Sequence, residues 1–361
     1  MGVTSPFAEQ ERKAGALLDE RFGTEVPVHY GDSAGEYQAV RGGVGLLDLS
    51  FRGLLELRGG ERLRWLNGQI TNDVKALPAG AGLPAAALTA KGHILSDLAV
   101  YGLDASVWID LNRDRVETVR SAFDRHIIAD DVMVSDASDR CARLMVAGPG
   151  APELLASAVG SEVADLKAWH HTEARITGVT VRVIASRWLR VPGLEVVAPA
   201  DAADRIWAAL FEMGRGAGLR PVGMAALDVL RVEAGWPWFG VDFDEQNLLM
   251  ESLAPEYVSF SKGCYVGQEV VIRVEHQGHL NKRLGGLLIS DNTPPPRGAA
   301  IFLGDRKAGH VTSAVHSPTL ERVIALAYLR RECWEPGTPV RISSGPGAVE
   351  AVVSALPFVA G

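Results

Sequence analysis

Lys262-Gly263-Cys264-Tyr265-Val266-Gly267-Gln268-Glu269 gathers an ammonium, a thiol, a phenol and a carboxylate around two glycines. A thiolate near neutral pH needs positive charge or backbone donors beside it, and Lys262, two positions from Cys264, supplies the first. Gly263 and Gly267 let the main chain approach a ligand closely. A plainer reading stands beside this one, with Cys264 a small buried hydrophobe and the glycines turn formers.

Upstream, Leu230-Arg231-Val232-Glu233-Ala234-Gly235 closes a helix expected from near Val222. A carboxylate at a pocket edge accepts two parallel hydrogen bonds from an amidine-like N–H pair, the edge a pterin ring presents. Glu233 suits that task, or it is an exposed helix-terminal glutamate paired with a neighbouring arginine. Trp236 and Trp238, either side of Pro237, could stack on an aromatic ligand or pack a domain junction.

Towards the N-terminus, strand-like residues 52–58 break at Gly59-Gly60, and Leu63, Leu66 and Ile70 then recur at helical spacing. Residues 85–89 and 94–101 flank Lys91-Gly92 as a hairpin. Asp114 and Asp201 are placed to cap helices whose apolar faces carry Val116, Val119, Phe123 and Ile127, and Ile206, Leu210 and Met213. Strands are expected at 132–134, 143–146, 179–184 and 194–198, with a further helix at 152–159. Strands and amphipathic helices mixed with hairpins predict α+β layers rather than a doubly wound sheet.

Beyond Lys282, six short apolar stretches alternate with Pro- and Gly-rich turns and predict a small β-barrel. The expected division is 1–140, 141–281 and 282–361, with Thr293-Pro294-Pro295-Pro296 a loop inside the barrel.

The chain has 361 residues, enough for two or three domains, and a formal charge of −8, which excludes an extended nucleic-acid surface. Cys141, Cys264 and Cys333 are too far apart for a disulfide framework or a C-x-x-C metal site, and an odd count suits a reducing cytosol. His276 and His279 lack the partners of a metal motif. No basic and apolar leader opens the sequence, and no apolar run reaches the ~20 residues of a membrane span, so the expectation is a soluble cytoplasmic protein.

The run 262–269 is similar to the K-G-C-Y-x-G-Q-E signature of the YgfZ family of folate-binding proteins. Leu230-Arg231-Val232-Glu233-Ala234-Gly235-Trp236-Pro237, followed by Gly240, resembles a segment of the wider glycine-cleavage T-protein superfamily. So do His29-Tyr30-Gly31, Ala39-Val40-Arg41 and Asn72-Asp73-Val74. The resemblance implies two α+β domains around a folate channel plus a C-terminal barrel. It implies tetrahydrofolate or a one-carbon derivative as cofactor, with Glu233 holding the pterin. Arg231, Gly263, Tyr265, Gly267, Gln268 and Glu269 are then folate contacts, and Cys264 with Lys262 the candidate reactive pair. It further implies a role in assembly or repair of iron–sulfur clusters, with assembly or client proteins as partners.

One departure bears on activity. Aminomethyltransferases of the superfamily carry two adjacent aspartates where this chain has Ser96-Asp97, the first being taken as the acid. A serine hydroxyl cannot replace a carboxylate in proton transfer, which argues against glycine cleavage. A one-carbon transferase and a non-catalytic folate-sensing scaffold are the alternatives.

Overall fold

The computed structural model describes residues 2–186, 188–278, 280–344 and 347–360, so His279 lies outside it. The architecture is α+β with a closed six-stranded barrel at the C-terminal end.

A five-stranded sheet runs in the order Gly82–Leu88, Ile94–Gly102, Val107–Asn112, Arg52–Arg58, Met133–Asp136. One face is covered by the helices Arg62–Asn67 and Val116–Asp124, whose Trp65, Leu66, Val119 and Phe123 pack on Leu55, Leu98 and Ile109. The expected hairpin is the first strand pair, and it contains a bulge. Ala87 lies opposite Ser96 but Leu88 opposite Ile94, so Leu95 is the extra residue.

The six-stranded sheet has the order His171–Ile176, Val179–Ala185, Gly193–Pro199, Cys141–Ala147, Gly45–Asp48, Arg220–Val222. Gly45–Asp48 comes from the N-terminal part of the chain and pairs with Cys141–Ala147. Helices Ala151–Val159 and Ala203–Gly214 close one face through Leu154, Leu155, Ile206, Trp207 and Leu210.

Neither expected aspartate caps its helix by its side chain. Asp114 and Asp201 sit in single 3₁₀ turns, Arg113–Arg115 and Ala200–Ala202, that lead into Val116–Asp124 and Ala203–Gly214. These turns tighten the helix entry with backbone bonds of their own. A further sheet, Val3–Thr4, Thr24–His29 and Leu17–Arg21, was not legible from alternation. Its strands are short and partly exposed.

The barrel order is Lys282–Ile289, Arg322–Arg330, Arg306–Ser317, Ala300–Leu303, Pro339–Ser344, Gly347–Ser354, closed by pairing from Gly286 with Ser354 to Ile289 with Ala351. Closure removes free sheet edges. A register shift between Val311 and Ser313 turns two neighbouring hydroxyls one way: Thr312 and Ser313 both donate to Asp242 Oδ1, at 2.6 and 2.7 Å. Asp242 Oδ2 accepts from Arg231 at 2.6 Å, which joins helix Met224–Glu233 to the barrel. No helix among the described residues is long and apolar enough to cross a membrane.

Candidate functional site

Residues directly opposite on an antiparallel pair share a face. Ser96 lies opposite Ala87, which packs in the helix-covered layer with Trp65 and Phe123; Asp97 lies opposite Ala86, which packs with Phe239, Tyr257 and Tyr265. Ser96 therefore faces the helices, fully buried, and donates to the carbonyl of Asp97 at 2.8 Å. The carboxylate on the inner face is Asp97. Position 96 therefore does not present its side chain on the face that carries the Asp97 carboxylate.

Asp97 is 8% exposed, and its Oδ1 finds no hydrogen-bond partner among the described residues. Burial raises its pKa above the usual carboxylate range, and the nearby Arg52 guanidinium only partly offsets this. Further along the same face, Ala99 and Tyr101 pack against Trp169, Ile184, Val197 and Trp236.

Beside them lies an ionic cluster built from both sheets. Arg143, on the six-stranded sheet, reaches Asp110 of the five-stranded sheet at 2.8 Å and donates through Nε to its own sheet's Glu195 at 2.7 Å. Arg52 donates to Asp110 at 2.9 Å and to Asn112 at 2.6 Å. Burial works against the charge on Asp110, but Arg143 and Arg52 outweigh it and hold its pKa low. Burial dominates at Glu195 and raises its pKa. These groups stand 33 to 60 residues apart in paired contacts, and no local motif marked them.

Two cavities, of about 510 and 310 Å³, share Arg190, Trp236 and Glu256 in their walls. Tyr257 lines the smaller, with its ring centroid 6.4 Å from that of Trp236, which in turn is 6.3 Å from Trp169. Such walls offer flat apolar faces to an aromatic ligand.

The motif 262–269 braces this region. Lys262 is buried and donates to the carbonyls of Asn67, Ile70 and Asn72 at 2.6, 2.8 and 2.7 Å. Burial lowers its pKa to about 8, while three carbonyl acceptors favour the ammonium. Its donors are thus committed to the 67–72 loop, which corrects the expectation that it serves the thiol. Tyr265 is buried against Ala86, Leu88 and Ile94 of the Asp97 hairpin. Gly267 has φ +82°, and a Cβ there would stand 2.6 Å from Thr89 O and 3.3 Å from Gly92 Cα. Only glycine lets the hairpin turn rest on this backbone.

Gly263 and Cys264 are exposed, Gln268 opens the helix Gln268–Gln277, and Glu269 pairs with Arg273 at 2.7 Å on the surface. Burial pushes the thiols of Cys141 and Cys333 up. Cys264, as the exposed thiol of the three, is expected to alkylate first, a sequence that mass spectrometry of iodoacetamide-treated protein can follow. Faster modification of Cys141 or Cys333 would show that the exposed position is not the reactive one.

Glu233, Arg231 and Asp97 line neither cavity, and Glu233 and Arg231, unlike Asp97, have their polar atoms filled by the protein. Tyr37 OH lies 2.8 Å from each oxygen of the fully buried Glu233 carboxylate, which also accepts from Arg41 and Ser317. The Glu233 carbonyl accepts Phe358 N and Val359 N at 2.9 and 3.1 Å. Arg231 is buried between Asp228, Asp242 and Ser313. Both residues join the helix to the barrel, and the expected ligand contact at Glu233 meets an acceptor already filled by the protein.

The family model of the GCVT N-terminal domain matches residues 7–262, and that of the glycine cleavage T-protein C-terminal barrel domain matches 282–360. The chain is 31% identical over 353 residues to an aminomethyltransferase of Chlorobium phaeovibrioides, covering 96% of each. It is 32% identical to one of Rubrobacter xylanophilus, covering 98% of this chain and 93% of that protein. The crystal structure of glycine cleavage system aminomethyltransferase T from Bartonella henselae superposes with a TM-score of 0.89 at 22% identity, covering 99% and 98% of the two chains.

Proposed function

The chain belongs to the glycine cleavage T-protein family, and from that premise we propose that it transfers a one-carbon unit to tetrahydrofolate, with Asp97 as the acid–base group. The observation that carries this is the inward Asp97 carboxylate, buried, raised in pKa and unpartnered at Oδ1.

The residues fit a reduced folate. Asp97 offers a free acceptor to a ring N–H, Trp236 and Tyr257 offer stacking faces, and Arg190 offers a cation to the glutamyl carboxylates. Bound folate supplies a nucleophilic amine that takes up the one-carbon unit. The aromatic walls exclude water and orient that amine, and a carboxyl with elevated pKa holds or yields a proton at Oδ1 near the working pH. Arg52 limits how far the pKa rises, and Arg143 with Asp110 and Glu195 ties the sheet that carries Asp97 to the six-stranded sheet.

A second reading places the chain in the YgfZ branch, as a folate-binding protein of iron–sulfur cluster maintenance. It is favoured by the exposed Cys264 within the eight-residue signature. Tetrahydrofolate titration followed by tryptophan emission, then methylene-tetrahydrofolate formation from an aminomethylated carrier protein, separates the two. Turnover at about 1 s⁻¹ or faster supports transfer. Binding without turnover, together with failure of Cys264→Ala to sustain iron–sulfur enzymes in cells, supports the second. Absence of binding overturns both.

A further inference from the structure

The outer side of the barrel carries a concavity of about 760 Å³ with a cationic rim. Arg306, Lys307, Arg330 and Arg331 line it and are exposed, and none has a carboxylate within 4.0 Å among the described residues. Exposed arginines elsewhere differ: Arg12 and Arg64 each have such a partner, whereas Arg175 and Arg205 have none among the described residues, so the groove is distinguished by four such cations meeting around one concavity. In a chain of net charge −8, four neighbouring unpaired cations are a concentrated field.

The floor reports the same field. His310 stacks on Tyr328 with centroids 5.5 Å apart. Burial lowers the His310 pKa first, and Lys282, Lys307 and Arg297 lower it further against one opposing carboxylate, Asp244.

We propose that this groove docks an acidic segment of a partner protein, whose Asp and Glu side chains enter the concavity and pair with the rim. The shape and charge favour this over other polyanions. Tyr328 is 3% exposed and covered by His310, so no ring face is free to stack a nucleobase. Among the described residues, none of the exposed large apolar side chains lines it to insert into a bilayer. Glu251 is shared with the 310 Å³ cavity, so a docked partner would sit beside that cavity. The inference stands independently of the folate reading.

The test is fluorescence anisotropy of labelled decaglutamate with the full chain, alongside an oligouridylate and vesicles of anionic phospholipid. Two double variants, Arg306→Glu with Lys307→Glu and Arg330→Glu with Arg331→Glu, probe the cations of the two adjacent strand ends separately, and Arg120→Glu is the control. The peptide is expected to bind and to weaken more than about tenfold in a folded double variant, but not in the control. A similar loss is expected on raising ionic strength from about 0.05 to about 0.3 M. Peptide binding that is absent, or unchanged in the doubles, overturns the proposal. So does tighter binding of the oligonucleotide or vesicles.

Discussion

Asp97→Asn is expected to lower one-carbon transfer by about 10²- to 10⁴-fold, the range for loss of a positioned acid or base. Asparagine keeps the size of the side chain and an oxygen acceptor but cannot hold or release a proton at that oxygen. Because burial raises the Asp97 pKa, the wild-type pH–rate profile should show a carboxyl limb above the usual value near about 4, and the variant should lose it. The companion variant is Ser96→Asp. Position 96 is fully buried and faces the helix layer, so a carboxylate there lacks a partner and destabilises the fold without raising the rate. An Asp97→Asn enzyme as fast as the wild type, or a Ser96→Asp enzyme that is faster, would assign the chemistry to another group.

Glu233→Ala is expected to cost about 3–5 kcal/mol of folding stability, the range for breaking a buried ion pair from one side. The Glu233 side chain is 0% exposed and its Arg41 partner only 13%, and the Tyr37 and Ser317 hydroxyls lose their acceptor as well. Against a total of about 5–15 kcal/mol for a typical domain, the denaturation midpoint should fall sharply. The folded fraction should bind tetrahydrofolate as the wild type does. A variant of unchanged midpoint with much weaker binding would instead make Glu233 a ligand contact.

These two positions show where a sequence reading succeeds and where it stops. The hairpin around Lys91-Gly92, the helix faces of Val116, Val119 and Phe123 and of Ile206 and Leu210, and all six barrel strands could be read from local pattern. A period of two or 3.6 is a property of neighbouring residues. The orientation of Ser96 and Asp97 was not available in that way. Alternation counted from Ile94, which packs on the inner face, puts Ser96 inward, and the bulge at Leu95 reverses the count.

Glu233 fails for a different reason. Its acceptors are filled by Tyr37 and Arg41, 196 and 192 residues upstream, and by Ser317, 84 residues downstream. The Arg52, Asp110, Arg143 and Glu195 cluster exists only once two sheets meet. The sequence by itself determined the element types, the barrel and the family resemblance, because these rest on local periodicity and contiguous motifs. Which of Ser96 and Asp97 turns away from the helix layer, and which carboxylate is consumed in joining helix to barrel, only the tertiary structure decided. Burial and hydrogen-bond saturation depend on residues brought together from far along the chain.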